Sequence, residues 1–119
     1  NWRSGFEIAF YVTKGKPAVF NFPALQSEGI NVYHHPVRYR LTDHPTEKPL
    51  KLMERIILAS SNLGDLVVDP FAGSGTTLIA AKSLGRRFVG FDTHAEYVRM
   101  ATDRIHKTSS GHSGSAGVA

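Results

Sequence analysis

LVVDPFAGSGTT, residues Leu66 to Thr77, decides how this chain is read. Leu66, Val67 and Val68 form the kind of apolar run that a buried parallel strand carries, and Asp69 places a carboxylate at its tip. Pro70 fixes the exit direction, while Gly73 and Gly75 permit backbone conformations and a close approach that a Cβ would block. Thr76 and Thr77 then open a helix, whose first amides have no acceptor within the helix and point back over the strand end. That helix is expected to run to Leu84, with Gly85 as its stop. Past Arg86 and Arg87, the run Phe88, Val89, Gly90, Phe91 ends in a second carboxylate, Asp92. The pattern is a βαβ unit with an acid at each strand end.

Residue types separate the ligands such a loop can seat. A phosphate-binding P-loop needs Lys and then Ser or Thr after its last Gly, and here Gly75 is followed by Thr76 and Thr77. The dinucleotide fingerprint needs three glycines in G-x-G-x-x-G, and the loop offers Gly73 and Gly75. An acid at the strand tip instead suits a ligand with a cationic ammonium or sulfonium group, of which S-adenosylmethionine is one. A purely structural βα turn is the alternative. Asp92 lies about twenty residues beyond the loop, where doubly wound folds place the acid that binds ribose hydroxyls. The alternative is an N-cap for the helix starting near Ala95, a role Thr93 could fill equally well.

Outward from this unit, Leu50 to Ser60 carries Leu50, Met53, Ile56 and Ile57 at helical spacing, so a helix should cover one sheet face. A last helix is expected over about Ala95 to His106, with Tyr97, Val98, Ala101 and Ile105 on its apolar side. Upstream, Phe6 to Val12 and Ala18 to Phe22 flank the turn KGKP and predict a hairpin or bent strand pair. Residues 23–43 lack periodicity. They interleave basic and aromatic groups, and His35, Arg38, Tyr39 and Arg40 are the candidates for nucleic-acid contact, the alternative being a solvated connection.

DPFAGSGTT and FVGFD, preceded by HPTEKP at His44 to Pro49, resemble the cofactor half of the amino-group DNA methyltransferases, which modify adenine N6 or cytosine N4. The order of the motifs is that of the beta class, and the resemblance runs from about Phe6 to Ile105. It implies an α/β fold, a partial Rossmann-like S-adenosylmethionine-dependent methyltransferase domain with a doubly wound sheet and helices on both faces. By the same resemblance, Asp69, Phe71, Gly73, Ser74, Gly75 and Thr76 would surround the methionine part of S-adenosylmethionine, with Asp69 near its ammonium and the loop amides near its carboxylate. Asp92 would take the ribose, and Phe71 and Phe91 would flank the adenine unless they pack beside the loop. Thr46 and Lys48 would close over the carboxylate end; Thr46 reads alternatively as the N-cap of the helix after Pro49.

The family transfers the methyl group through Asp, Asn or Ser followed by Pro-Pro and an aromatic residue, and no Pro-Pro pair occurs in these 119 residues. An exocyclic base amine is a poor nucleophile because its lone pair is delocalised into the ring. A polar side chain and a backbone carbonyl must take its protons while an aromatic ring stacks on the flipped base. No catalytic residue is therefore assigned within the chain. Residues 1–107 are expected to be a partial methyltransferase domain, with a hairpin and basic loop over 1–43 and the cofactor region over 44–107. Residues 108–119, rich in Gly, Ser and Ala, read as a disordered tail. The start at Asn1 reads as the interior of a longer protein. DNA and the missing catalytic half, on the same or another chain, are the expected partners, and a homo-oligomer would be another way to cover an exposed sheet edge. A non-catalytic subunit of a split enzyme, or part of an RNA or small-molecule methyltransferase, are the competing readings.

Composition agrees. The chain has 41% apolar residues and no cysteine, so neither disulfides nor thiolate metal sites hold it together. A net charge of +4 favours polyanionic partners without singling one out. The sequence has no run of about 18 apolar residues, and His34, His35 and His44 lack the paired carboxylates that would make a metal set. The expected setting is cytoplasmic, in a prokaryote or phage system, with no membrane and no metal.

Overall fold

The computed structural model describes residues 7–17, 19–21 and 47–109. Its elements follow in the order α1 (Leu50–Ser60), β1 (Leu66–Asp69), α2 (Thr76–Ser83), β2 (Arg87–Gly90) and α3 (Ala95–Lys107). The two strands pair in parallel, Leu66 with Arg87 through Asp69 with Gly90. Pairing continues past the strand ends, where Phe91 donates to the Asp69 carbonyl at 2.9 Å and Ala72 donates to that of Phe91 at 2.8 Å. The loop after β1 is thereby stitched to the tip of β2.

Alternation along the strands assigns their faces. Val67 and its partner Phe88 turn toward the helices, while Leu66 and Val68 stand 53% exposed on the opposite face. α2 occupies the middle of the helical layer. It is apolar nearly all round, with Leu78, Ile79, Ala80 and Ala81 buried, because α1, α3 and the sheet each cover a side. Ala80 and Ala81, at 0% exposure, let α1 approach closely, and Leu50, Met53, Val67 and Phe88 pack around the cluster they form with Ile57. Each fully buried Leu or Ile contributes roughly 1.5–3 kcal/mol. Among the described residues the helices form one layer on one face, so the second layer of a doubly wound sheet lies outside them.

Helix ends depart from the expected caps. The N-cap position of α1 is Pro49, whose carbonyl accepts from Leu52 and Met53; Thr46, three residues earlier, lies outside the described residues. At the other end Asn21 does the capping. Its side-chain amide donates to the carbonyls of Leu58 and Ser61, and its backbone N–H to that of Ala59. The N-cap position of α3 is His94, and neither Asp92 nor Thr93 bonds an amide of the first helical turn. α2 ends at Ser83, one residue short of the expected Leu84, and β2 is shifted one residue toward the N-terminus, Arg87–Gly90.

The segment expected as a hairpin reverses direction at Lys14–Lys16, and the Tyr11 and Phe20 rings meet at 5.7 Å, yet its described residues carry no strand. Ile8, Phe10 and Val12 are largely exposed there, since no described sheet lies beneath them to pair with and pack on.

Candidate functional site

The site is built where β1, β2 and α2 end or begin together. The Asp69 carboxylate accepts the Phe71 amide at 3.0 Å, a local bond that turns the chain out of the strand. Gly73 and Gly75 both take left-handed conformations, φ +52° and +81°. A side chain at Gly75 would also strike Ala101 of α3, its Cβ standing 2.7 Å from that of Ala101. The loop therefore needs glycine there for conformation and for space.

Several peptide groups of the loop have an assigned direction. Gly73 donates to Asp92 Oδ2 at 2.9 Å, and Gly75 donates to the Ala72 carbonyl at 2.8 Å. The Ser74 carbonyl accepts from Arg104 Nη1 at 2.7 Å, and the Gly75 carbonyl from Ile79 at 2.9 Å. That last bond is the first of α2, so the amides of Thr76, Thr77 and Leu78 precede the intrahelical ladder and give the rim a positive end. Ser74 and Thr76 are buried, their hydroxyls 3.3 Å apart.

Asp92 faces this positive end. Its second oxygen accepts the His94 amide at 2.9 Å. The His94 amide, more than any other contact, holds the Asp92 carboxyl below its ordinary range; partial burial opposes the shift, and the Gly73 amide and the nearby His94 ring add to it. An ionised carboxylate has about four acceptor positions, so two backbone bonds leave room for ligand hydroxyls. Phe71 is 86% and Phe91 58% exposed, so neither ring packs into the described core. A cavity of about 290 Å³ opens between β2 and α3, lined among others by Gly73, Leu78, Gly90, Phe91, Asp92 and Ala101. The arrangement can receive a ligand that presents an anion to the α2 amides and cationic or hydroxyl groups to Asp69 and Asp92.

Of the predicted residues, Gly73, Phe91 and Asp92 line this cavity, while Asp69, Phe71, Ser74, Gly75 and Thr76 lie in the strand end, loop and helix start beside it. Thr46, His35, Arg38, Tyr39 and Arg40 lie outside the described residues, as do His34 and His44. Lys48 pairs with Glu7, both exposed, an ion pair of small worth. Its neighbour Glu47 reaches the loop instead: the carboxylate, 5% exposed, accepts from Arg104 Nη2 at 2.8 Å. Glu47 lies within HPTEKP, where only Thr46 and Lys48 are given a role, and Arg104 lies outside every motif. The available signal was the place of Arg104 beside the apolar stripe of Ala101 and Ile105, where a charge must find a partner.

A family model described as DNA methylase matches residues 7–103. The chain is 58% identical over 62 residues to the type II methyltransferase M2.DpnII of Streptococcus pneumoniae, covering 52% of this chain and 23% of that protein. It is 49% identical over 83 residues to the DNA adenine methyltransferase YhdJ of Escherichia coli K12, covering 66% of this chain and 28% of that protein. Among solved structures, the M1.HpyAVI–SAM complex matches with a TM-score of 0.57 at 44% identity, covering 72% of this chain and 42% of that one. The chain spans about a quarter of the length of these two curated relatives. With its partial α/β methyltransferase fold and its βαβ loop, the chain belongs to the DNA methylase family, the N6 and N4 amino-methyltransferases of the beta class.

Proposed function

We propose that this chain is the C-terminal, cofactor-binding part of a site-specific DNA methyltransferase that moves a methyl group from S-adenosylmethionine to adenine N6 or cytosine N4. The observation that carries the reading is the Gly73 to Asp92 bond, which joins the glycine loop ahead of α2 to the carboxylate after β2. S-adenosylmethionine fits that donor set: it is a zwitterion with a sulfonium and a ribose diol. The α2 amides would hold its carboxylate, Asp69 its ammonium, Asp92 the ribose hydroxyls, and Phe71 and Phe91 the adenine faces. When bound it supplies an electrophilic methyl group. A relative solved as its SAM complex supports the assignment, and the adenine methyltransferase named above supports a base amine as acceptor.

Acceptance of the amine protons and stacking of the flipped base fall to residues beyond this chain, which holds no Pro-Pro pair. His35, Arg38, Tyr39 and Arg40 are assigned to DNA contact, and Thr46 with Lys48 to the carboxylate end of the cofactor. Calorimetric titration of S-adenosylmethionine into the 119-residue chain and its Asp69→Ala variant tests the core of this. Binding that weakens in the variant is expected. A folded wild type with no detectable binding would remove the cofactor assignment, and an unchanged variant would remove the role of Asp69. Methyl transfer to DNA by this chain alone would overturn its catalytic incompleteness.

A further inference from the structure

We propose that Arg104, held by Glu47, is a positioning residue for the Ser74–Gly75 peptide and through it for the amides at the start of α2. The guanidinium spans two contacts far apart in sequence: Nη1 donates to the Ser74 carbonyl at 2.7 Å and Nη2 to Glu47 Oε1 at 2.8 Å. Ser74 is buried, at 3% exposure, so its carbonyl needs a protein donor. A peptide group is planar, so fixing that carbonyl also fixes the Gly75 N–H, which runs to the Ala72 carbonyl at 2.8 Å. The next amides along the chain are those of Thr76, Thr77 and Leu78, which precede the first intrahelical bond of α2, Ile79 to Gly75. Arg104 therefore sets the plane from which the anion-binding amides emerge.

Glu47 completes the device in two ways. It keeps the fork of Arg104 in register, since a guanidinium bonded on one nitrogen alone can rotate out of plane. It also neutralises a cation beside the loop, one that would otherwise compete with the α2 amides for an anion and repel a ligand ammonium. Because Glu47 precedes Pro49 and α1, the pair ties the HPTEKP segment to the glycine loop through α3. Lys can supply the charge but cannot bridge both acceptors with a planar fork.

The ligand named here rests on the cofactor reading above, whereas the positioning of the loop rests on the geometry alone. Amide hydrogen exchange measured by NMR on the 119-residue chain, with Arg104→Lys, separates the two. Exchange at Gly75 is expected to accelerate about tenfold or more with Ala80 and Ala81 of α2 unchanged, and the S-adenosylmethionine Kd to rise about tenfold. A role confined to overall stability would loosen all these amides together and leave the affinity of the folded fraction intact. Should Arg104→Lys fail to fold, Glu47→Gln retains one acceptor for the guanidinium and is expected to loosen Gly75 to a lesser degree. Unchanged Gly75 exchange in a folded Arg104→Lys chain overturns the proposal. A folded wild type that binds no S-adenosylmethionine removes the cofactor reading instead, and Gly75 exchange still decides the positioning role.

Discussion

The Asp92 carboxylate accepts the Gly73 amide at 2.9 Å, so the tip of β2 holds the loop that leaves β1. The same carboxylate accepts the His94 amide and thereby also sets the entry into α3. One side chain joins the second strand, the glycine loop and the entry to the last helix, and each of those elements borders the rim at which a ligand would sit. A carboxylate used only as a helix cap would have no reason to reach across to the glycine loop.

This double use makes the loop sensitive to acid. The Asp92 carboxyl lies below its ordinary value of 3.8 in the folded chain, so below that value the unfolded chain takes up more protons than the folded one. Its stabilising contribution is complete above that ordinary value and is lost as pH falls through the lowered one. In Asp92→Asn the remaining oxygen can accept one of the two amides while the NH₂ accepts nothing, so the variant should melt below the wild type at pH 7. The gap should narrow as pH is taken below the ordinary carboxylate range. Thermal melts of both proteins across acid pH check this, and a gap independent of pH would show that the charge of Asp92 is immaterial.

Two glycines in left-handed conformation should respond differently to alanine. Gly64, φ +78°, has nothing within 4 Å of a built Cβ, so Gly64→Ala carries backbone strain alone, about 1–2 kcal/mol. Gly75, φ +81°, would add a clash with Ala101 at 2.7 Å, raising the loss to about 2–4 kcal/mol. Urea unfolding of the two variants measures the difference directly. Equal midpoints would mean that α3 yields freely at Ala101.

The parts legible in the sequence are those written in adjacent residues. Leu66 to Asp92 carries its strand, loop, helix and strand as a run of local preferences, and the apolar spacing of Leu50 to Ile57 marks α1 to the residue. Structure that depends on chain segments meeting from a distance left no such trace. Arg104 and Glu47 are 57 residues apart, and Asn21 caps a helix 37 residues downstream although it reads locally as part of the run Ala18 to Phe22. Asp92 and Thr93 are both good N-cap types, and preference alone does not reveal that the Asp92 carboxylate is committed to the amides of Gly73 and His94.

Arg86 is a further long-range tie, and its removal should act on stability. It is 9% exposed, and its guanidinium donates to the Ser61 hydroxyl at 3.1 Å and to the carbonyls of Ser61 and Leu84 at 2.7 Å each. Arg86→Met keeps the apolar stem and deletes these bonds. The loss should be about 2 kcal/mol, less than three charge-assisted bonds would suggest, because Asn21 also donates to the Ser61 carbonyl. Arg86→Lys should recover only part, since an ammonium cannot span three fixed acceptors. Chemical denaturation ranks the three proteins, and a Lys variant as stable as the wild type would show that charge, not the fork, is what the site needs.

Phe71 separates binding from folding. Its ring is 86% exposed at the rim beside Asp69, so Phe71→Ala removes almost no packing and should leave the unfolding midpoint within about 0.5 kcal/mol of the wild type. If the ring stacks on the adenine of S-adenosylmethionine, the same change forfeits about 1 kcal/mol of stacking, close to a fivefold rise in Kd. Phe91, 58% exposed, lines the cavity between β2 and α3 and is less exposed than Phe71, so its change to Ala should show both effects. Paired calorimetric titration and thermal melts of the two variants test the contrast. A Phe71→Ala chain with unaltered affinity would take that ring out of the cofactor site and leave it to face the DNA or the rest of the enzyme.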